Sequence, residues 1–281
     1  MSCSIASASL AFTRALSTAV LIVFISGAAD ARQPTTPSEE HVFKSFDGTR
    51  IHYVTAGRGP LVVLVHGFTG DGLSWTRGPL WPALLAAGFQ VAALDLRGNG
   101  TSDKPHEEAA YANDAEAKDI AHLVDTIGAA RFSVVGYSRG AIIAARVLVL
   151  DRRVDRAVLG GMGLDFTNPE WPRRKAFYEA LSGKDVPDLK AMVQSVQDRG
   201  LDQTALALSQ KQQPSTSLAE LKAVAVPVLV IAGDRDADNG SAEDLARAIP
   251  GAIKATVPGD HGGASRTQAF ADRVTQFLRG Q

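Results

Sequence analysis

The stretch VVGYSRGAII, Val134 to Ile143, places one serine between two glycines at the junction of two apolar runs. The β-branched run that ends in VV predicts a strand, and AIIAARVL predicts a helix. Gly-x-Ser-x-Gly at such a junction is typical of a nucleophile elbow, a turn so sharp that the serine adopts a strained backbone and the glycines avoid collisions. Ser138 is therefore the candidate nucleophile. The alternative is a glycine-rich turn that carries an idle serine.

Strand-like and helix-like segments alternate on both sides of this elbow. The continuous apolar runs LVVLVH (61–66), QVAALDL (90–96) and VPVLVIAG (226–233) are typical of strands buried on both faces. Residues 114–127 carry an apolar stripe at helical spacing, and 41–56 predict a hairpin that turns at Asp47-Gly48. This order predicts an α/β fold with a mostly parallel sheet covered by helices on both faces.

The composition argues against a nucleic-acid partner and against a disulfide. The 29 basic and 30 acidic residues nearly cancel, so the chain lacks the basic surface that nucleic acid requires, and we expect a small-molecule partner instead. The only cysteine, Cys3, lies near the start of the chain. A disulfide is therefore not expected.

The first 31 residues have the layout of a secretory signal peptide. One basic residue, Arg14, precedes an apolar stretch, and small residues at 29 and 31 suit cleavage after Ala31. The uncharged run from 15 to 29 is shorter than the roughly 20 residues that a membrane span needs, which disfavours the alternative of an uncleaved anchor. We expect an exported protein, periplasmic or secreted, with no stable membrane anchor after cleavage.

The rest of the chain divides into a leader, a core and an insertion. Segment 32–40 is polar and contains proline, so it predicts a flexible leader. An α/β core is expected over 41–164 and 214–281. Between them, 165–213 shows helical fragments and no strand-like run, which predicts a small helical cap over the pocket. The alternative is a pair of ordinary packing helices.

A serine hydroxyl needs a base, and the base needs a carboxylate that orients it. Among six histidines, His261 follows the last predicted strand in a glycine-rich loop and is the candidate base. Asp236 follows an earlier buried strand and is the candidate carboxylate, with Asp165 as a substitute position. The chain order Ser, Asp, His suits this sheet topology.

The aspartate loop also invites a metal interpretation. Asp234, Asp236 and Asp238 are spaced like the first three ligands of a calcium loop. Position six is Asn239 and position twelve is Leu245, where glycine and glutamate are required. We therefore expect no metal and no other cofactor.

Acyl transfer also needs hydrogen-bond donors for an oxyanion. The predicted donors are the backbone N–H groups of Arg139, directly after the nucleophile, and of Phe68, in the loop after the strand 61–65. The Arg139 side chain is expected to reach a substrate carboxylate or an acid of the cap, Glu170 or Glu179.

Five motifs in this order resemble the α/β-hydrolase superfamily: His66-Gly67-Phe68 with Trp75, DLRGNGTSDKP (95–105), GYSRG around Ser138, GDRD ending in Asp236, and the late His261. The resemblance implies an eight-stranded sheet, a cap after the sixth strand and a cofactor-free Ser-His-Asp hydrolase. In that superfamily, DLRGNGTSDKP corresponds to a structural loop. Haloalkane dehalogenases and epoxide hydrolases of the superfamily use an aspartate at the elbow, so Ser138 disfavours both.

The sequence thus favours an exported serine esterase that cleaves a carboxylic ester or lactone of a small, partly apolar molecule. Two alternatives stay open. One is a carbon–carbon bond hydrolase or a cofactor-free haloperoxidase-like member, which would share the same site. The other is a ligand receptor or binding module that keeps the fold, and even the triad, with little turnover.

Export gives the first testable prediction. When the full chain is expressed in a bacterium that recognises the signal, protein recovered from the periplasm should begin at Arg32, as read by intact mass and N-terminal sequencing. Ala31→Arg should block cleavage, because signal peptidase reads a small residue there. Recovery of the uncleaved wild-type chain from membranes would support the anchor instead.

Overall fold

The computed structural model describes residue 1 and residues 38–281. The predicted signal peptide (1–31) and most of the predicted leader (32–40) lie outside the described residues, apart from Met1 and 38–40. In the described part of the chain, no helix is both long and apolar enough to cross a bilayer.

Eight strands form one sheet within residues 38–281. In spatial order it runs β1-β2-β4-β3-β5-β6-β7-β8. The strands are β1 (Glu39–Lys44), β2 (Arg50–Ala56), β3 (Leu61–Val65), β4 (Gln90–Leu94), β5 (Phe132–Tyr137), β6 (Val154–Gly160), β7 (Val228–Gly233) and β8 (Ile253–Val257). Strand β2 is antiparallel to β1 and β4, and every other pairing is parallel. The predicted mostly parallel sheet is confirmed.

Helices connect these strands. They are α1 (Leu73–Thr76), α2 (Leu80–Ala86), α3 (Ala115–Ile127), α4 (Arg139–Leu150), α5 (Pro172–Leu181), α6 (Lys190–Asp198), α7 (Gln203–Lys211), α8 (Leu218–Lys222), α9 (Ala242–Ala248) and α10 (Gln268–Leu278). The helix predicted over 114–127 is α3, and Gly128 ends it with a positive φ of 78°.

The core lies on both faces of the sheet, because side chains alternate along each strand. In β3, Leu61, Val63 and Val65 pack in the layer that contains α3, α4 and α9. Val62 and Leu64 point to the opposite layer, with α2 and α10. This arrangement explains why β3 reads as a continuous apolar run.

Helices α5, α6 and α7 lie between β6 and β7 in the chain, within the segment predicted to form a cap. Their apolar side chains form a small cluster of their own, with Leu181, Val196 and Leu206 buried. The half-buried Phe68, from the loop after β3, packs against this cluster. The segment therefore contacts the core close to the candidate site, and its role as a lid stays a prediction.

A buried ion-pair network holds the DLRGNGTSDKP loop, which follows β4. Arg97 is fully buried and pairs with Asp119 of α3 at 2.6 Å and with Asp47 of the β1–β2 turn at 2.8 Å. Burial alone lowers the pKa of Arg97, but hydrogen bonds and charge from Asp119 and Asp47 raise it above its ordinary value. Asp95 accepts hydrogen bonds from the N–H groups of Gly72 and Thr101. The loop is thus pinned by side chains that lie outside the serine site.

This network predicts a large effect on stability. Arg97→Met should lower the free energy of unfolding by about 3–5 kcal/mol, because it leaves the carboxylate of Asp119 buried and unpaired. Arg131→Met breaks a solvent-exposed pair with Asp155 and should cost less than about 1 kcal/mol. Urea unfolding of both variants tests this, and equal losses would contradict it.

Candidate active site

The nucleophile elbow joins β5 to α4 at Ser138. Ser138 has φ 55° and ψ −125°, a conformation that a residue with a side chain rarely adopts. Its N–H donates to the carbonyl of Gly160 in the neighbouring strand at 2.8 Å. The turn thereby presents Ser138 at the carboxyl end of the sheet.

The two flanking glycines are sterically required. A Cβ at position 136 would lie 2.1 Å from the carbonyl oxygen of Gly140, and one at position 140 would lie 2.2 Å from the carbonyl oxygen of Val65. Both distances are shorter than any tolerable contact with backbone. The Gly-x-Ser-x-Gly pattern therefore follows from the close approach of β3, β5 and α4.

The structure brings Ser138, His261 and Asp236 into one hydrogen-bonded chain. The Oγ of Ser138 lies 2.9 Å from Nε2 of His261, and Nδ1 of His261 lies 3.0 Å from both carboxylate oxygens of Asp236. The Asp236 carboxylate is 3% exposed. Because a carboxylate faces Nδ1, that nitrogen carries the proton, and Nε2 is free to accept the hydroxyl proton of Ser138.

The other aspartates named in the sequence contact different groups. Asp234 accepts a hydrogen bond from the N–H of Gly259 at 2.9 Å. The carboxylate of Asp165 lies against Gly240, where a Cβ would be 2.8 Å from it. Asp236 is thus the carboxylate that contacts His261, in preference to Asp165.

Two residues that contact His261 were not predicted from the sequence. The hydroxyl of Tyr137 donates to the backbone carbonyl of His261 at 2.8 Å. The amide nitrogen of Asn239 lies 3.3 Å from Nε2 of His261 and donates to the carbonyl of Gly161 at 3.0 Å. Tyr137 stands next to the nucleophile and Asn239 stands in the aspartate loop, but neither position signals a partner that is distant in the chain.

His66 fixes the loop that contains the predicted oxyanion donor Phe68. The N–H of Leu96 donates to Nε2 of His66 at 3.0 Å, so the proton lies on Nδ1, which donates to the carbonyl of Gly67 at 2.7 Å. Complete burial lowers the pKa of His66, although the hydrogen bond to the Gly67 carbonyl opposes this shift. The ring of His66 is thus hydrogen-bonded within the loop.

The same contacts orient the peptide between Gly67 and Phe68. Its carbonyl accepts from His66 and from the N–H of Gly70, so its N–H points the opposite way across the planar trans unit. Within residues 38–281, neither Phe68 nor Arg139 donates its backbone N–H to another group. A Cβ at Gly67 would lie 3.4 Å from Cβ of Ser138, which places this loop beside the nucleophile. Both N–H groups therefore remain available to a ligand there.

The predicted partner of the Arg139 side chain was wrong. Its guanidinium is buried and forms a two-pronged pair with Glu116 of α3, at 2.6 and 2.8 Å, and also donates to the carbonyl of Ser209 in α7. Glu170 and Glu179 pair instead with Lys175 and Lys184. The side chain points into the core beside α3, where Glu116 is the nearest acid.

A cavity of about 50 Å³ opens onto Ser138. Its walls are formed by the elbow, by the loop after β3 and by the segment between β6 and β7. The lining residues include Phe68, Arg139, Met162, Trp171, Phe177 and Gln213. A second cavity, of about 490 Å³, adjoins it and shares Trp171 and Arg173 as walls. The space at Ser138 is called the inner cavity, and its larger neighbour is called the outer cavity.

Comparison with known proteins agrees with this architecture. A family model described as alpha/beta hydrolase fold matches residues 60–263. The chain belongs to the α/β-hydrolase family. A bromoperoxidase from Bacillus anthracis superposes with a TM-score of 0.68 at 24% identity, covering 86% of this chain and all of that one. An enol-lactonase from Burkholderia xenovorans LB400 gives the same score and identity over 85% of this chain and 100% of that one. These two likenesses show the fold alone.

Among curated relatives, epoxide hydrolase B of Mycobacterium tuberculosis is 40% identical over 111 residues, or 38% of this chain and 31% of the relative. The chain thus matches less than a third of that relative's length. In this α/β-hydrolase, the family match runs from just before β3 to just past His261, so it includes Ser138 and Asp236.

The strained elbow predicts an unusual stability order. Ser138→Gly should be more stable than Ser138→Ala by about 1 kcal/mol, since glycine accepts a φ of 55° without strain, although its greater freedom in the unfolded chain offsets part of the gain. Urea unfolding of the two variants tests this. A more stable alanine variant would show that the elbow is unstrained.

Proposed function

We propose that this α/β-hydrolase cleaves a carboxylic ester or lactone of a small, partly apolar molecule through a covalent acyl-enzyme, and that it acts after export. The observation that carries the proposal is the hydrogen-bonded chain from Ser138 through His261 to Asp236, which ends at a cavity. A serine that touches a base, with the base oriented by a buried carboxylate, is the arrangement that activates a hydroxyl for acyl transfer.

In the acylation step, Oγ of Ser138 attacks the substrate carbonyl carbon while its proton passes to Nε2 of His261. The imidazolium that forms is stabilised by the buried carboxylate of Asp236. The carbonyl oxygen becomes an oxyanion, which accepts hydrogen bonds from the N–H groups of Phe68 and Arg139. Arg139 begins α4, so the positive end of the helix dipole adds to this stabilisation.

Collapse of the tetrahedral intermediate breaks the bond to the alkoxy oxygen. His261 gives its proton to that oxygen, and the alcohol leaves, or stays tethered if the substrate is a lactone. In deacylation, His261 removes a proton from a water molecule that attacks the acyl-enzyme, and the same proton returns to Ser138 as the acid departs. One water is consumed for each ester cleaved.

Epoxide hydrolysis, which the name of a curated relative suggests, fits Ser138 poorly. A carboxylate nucleophile opens an epoxide to an ester, which water can then cleave. A serine oxygen would open it to an ether, which resists hydrolysis and would leave the enzyme alkylated. The identity of the elbow residue therefore favours carbonyl substrates over epoxides.

The size of the inner cavity bears on the acyl group. Pockets for drug-sized ligands usually measure about 300–1,000 Å³, whereas the space at Ser138 is about 50 Å³. A short acyl group is therefore expected next to the nucleophile. The larger second cavity has room for the rest of the molecule.

Hydrolysis of chromogenic esters from acetate to decanoate tests the proposal. We expect turnover to be highest for the short acyl groups and to decline as the chain lengthens, because the inner cavity is small. Ser138→Ala should reduce kcat about a thousandfold or more. The matched control Ser182→Ala removes an exposed hydroxyl at the end of α5 and should leave turnover unchanged.

Absence of turnover with every ester, in protein shown to be folded, would contradict the proposal. Tight ligand binding without hydrolysis would then favour the receptor alternative. Turnover that survives in Ser138→Ala would show that another group is the nucleophile.

A further inference from the structure

Three arginines border the cavity at Ser138, and they differ in their partners. Arg139 is neutralised by its two-pronged pair with Glu116. Arg173 and Arg174, from the first turn of α5, have no carboxylate within 4 Å among the described residues. No acidic residue of the described chain lines this inner cavity. The wall of this cavity therefore carries two arginines that have no carboxylate partner.

The guanidinium of Arg173 lies over the ring of Phe177, 4.8 Å from its centroid. Phe177 in turn packs edge-on against Phe68, with ring centroids 5.6 Å apart. Arg173 donates no hydrogen bond to any group in residues 38–281, so its five N–H donors are free while its guanidinium carbon lies over the Phe177 ring. A guanidinium in this state is prepared to bind a carboxylate with two parallel hydrogen bonds.

Arg174 adds to the positive potential of the cavity, because none of its hydrogen-bond partners carries a negative charge. Its guanidinium donates to the backbone carbonyls of Lys211 and Gln213, at 3.0 and 3.3 Å. Partial burial lowers its pKa, and the charge of Glu170 only partly opposes this. An arginine with carbonyl partners alone keeps its full positive charge at neutral pH.

Helix stability does not explain two arginines at this position. The first turn of α5 contains no acidic residue, and cations at a helix N-terminus are disfavoured by the helix dipole. The two glutamates nearest in the chain, Glu170 and Glu179, do not neutralise these arginines either, since they pair with Lys175 and Lys184. The two arginines at the start of α5 are therefore electrostatically unfavourable in the absence of a bound anion.

The larger cavity limits where that anion can lie. Asp165 and Asp238 line it together with Arg173. Their carboxylates repel an anion in the outer space, whereas the inner wall offers only positive and neutral groups. A bound carboxylate is thus expected on the inner side of Arg173, near Ser138.

We propose that the substrate is an ester or lactone that carries a second, free carboxylate, and that Arg173 binds this carboxylate while Arg174 reinforces the potential. The proposal rests on the proposed function and adds the charge of the substrate. Arg173 is a specificity residue here. It takes no part in the bond-breaking steps.

The test compares substrates that differ only in charge. The 4-nitrophenyl monoesters of succinic, glutaric and adipic acid, with the far carboxyl free, are compared with the same esters in which that carboxyl is a primary amide. Spontaneous hydrolysis is subtracted from each rate. In the wild-type protein, kcat/KM for the best acid should exceed that of its amide about ten- to a hundredfold, the range expected for a charge-assisted hydrogen-bonded pair.

Variants then assign the preference. Arg173→Gln should reduce the acid-to-amide ratio of kcat/KM to near one, chiefly through KM for the acid. Arg173→Lys keeps the charge but loses the planar fork, so it should retain part of the ratio. The control Arg273→Gln removes one positive charge on α10, away from the cavity, and should leave the ratio at its wild-type value.

The outcomes separate the two proposals. Equal turnover of acids and amides would overturn the anionic substrate and leave the esterase intact. An acid preference that survives in Arg173→Gln would overturn the role of Arg173. Absence of turnover for both series, and for the neutral alkyl esters, would instead count against the esterase itself.

Discussion

The close backbone approach between β5 and α4 is the constraint on which the site depends. The carbonyl of Gly140 occupies the space that a Cβ at position 136 would need, and the carbonyl of Val65 occupies that of a Cβ at 140. The chain can therefore turn here only with glycine at both positions, and Ser138 must take a positive φ. Strain at this residue is sustained because β3 and β6 hold the turn from both sides.

Parallel strands bring the remaining groups to the same edge of the sheet. His261 follows β8 and Asp236 follows β7, so both loops end beside the elbow. The loop after β3 reaches the elbow from the other side, and its geometry depends on the neutral ring of His66 between Leu96 and Gly67. Backbone hydrogen bonds fix two of these residues at this edge, from the N–H of Ser138 to the carbonyl of Gly160 and from the N–H of Asp236 to the carbonyl of Gly233.

Charge is distributed unevenly around the cavity. The pair of Arg139 and Glu116 is buried and complete, and through Ser209 it also ties the core to α7. Arg97 and its partners Asp47 and Asp119 form a second complete set of ion pairs, and none of them lines the cavity at Ser138. Arg173 and Arg174 differ, since neither has a carboxylate within 4 Å among the described residues, and no acid lines the cavity at Ser138. Carboxylates thus neutralise Arg97 and Arg139, whereas Arg173 and Arg174 are available to a ligand.

Much of the fold and of the site was predictable from the sequence. The apolar runs predicted β3, β4 and β7, and periodicity predicted α3, because burial on two faces or on one stripe leaves a direct mark on residue order. Ser138, Asp236 and His261 were predictable because each stands beside a strand end or a glycine-rich turn. For these elements, the local residue pattern alone was enough to predict the local structure.

The partners of side chains were not predictable in this way. Arg139 was expected to face Glu170 or Glu179, yet it pairs with Glu116, and Asn239 and Tyr137 emerged as neighbours of His261 only in three dimensions. The sequence by itself determined the order of strands and helices and the residues of the elbow, since these depend on short-range sterics and burial. Only the tertiary structure decided which charges meet and which stay unpaired around the cavity, because ion pairing depends on distances between segments that the chain order does not encode.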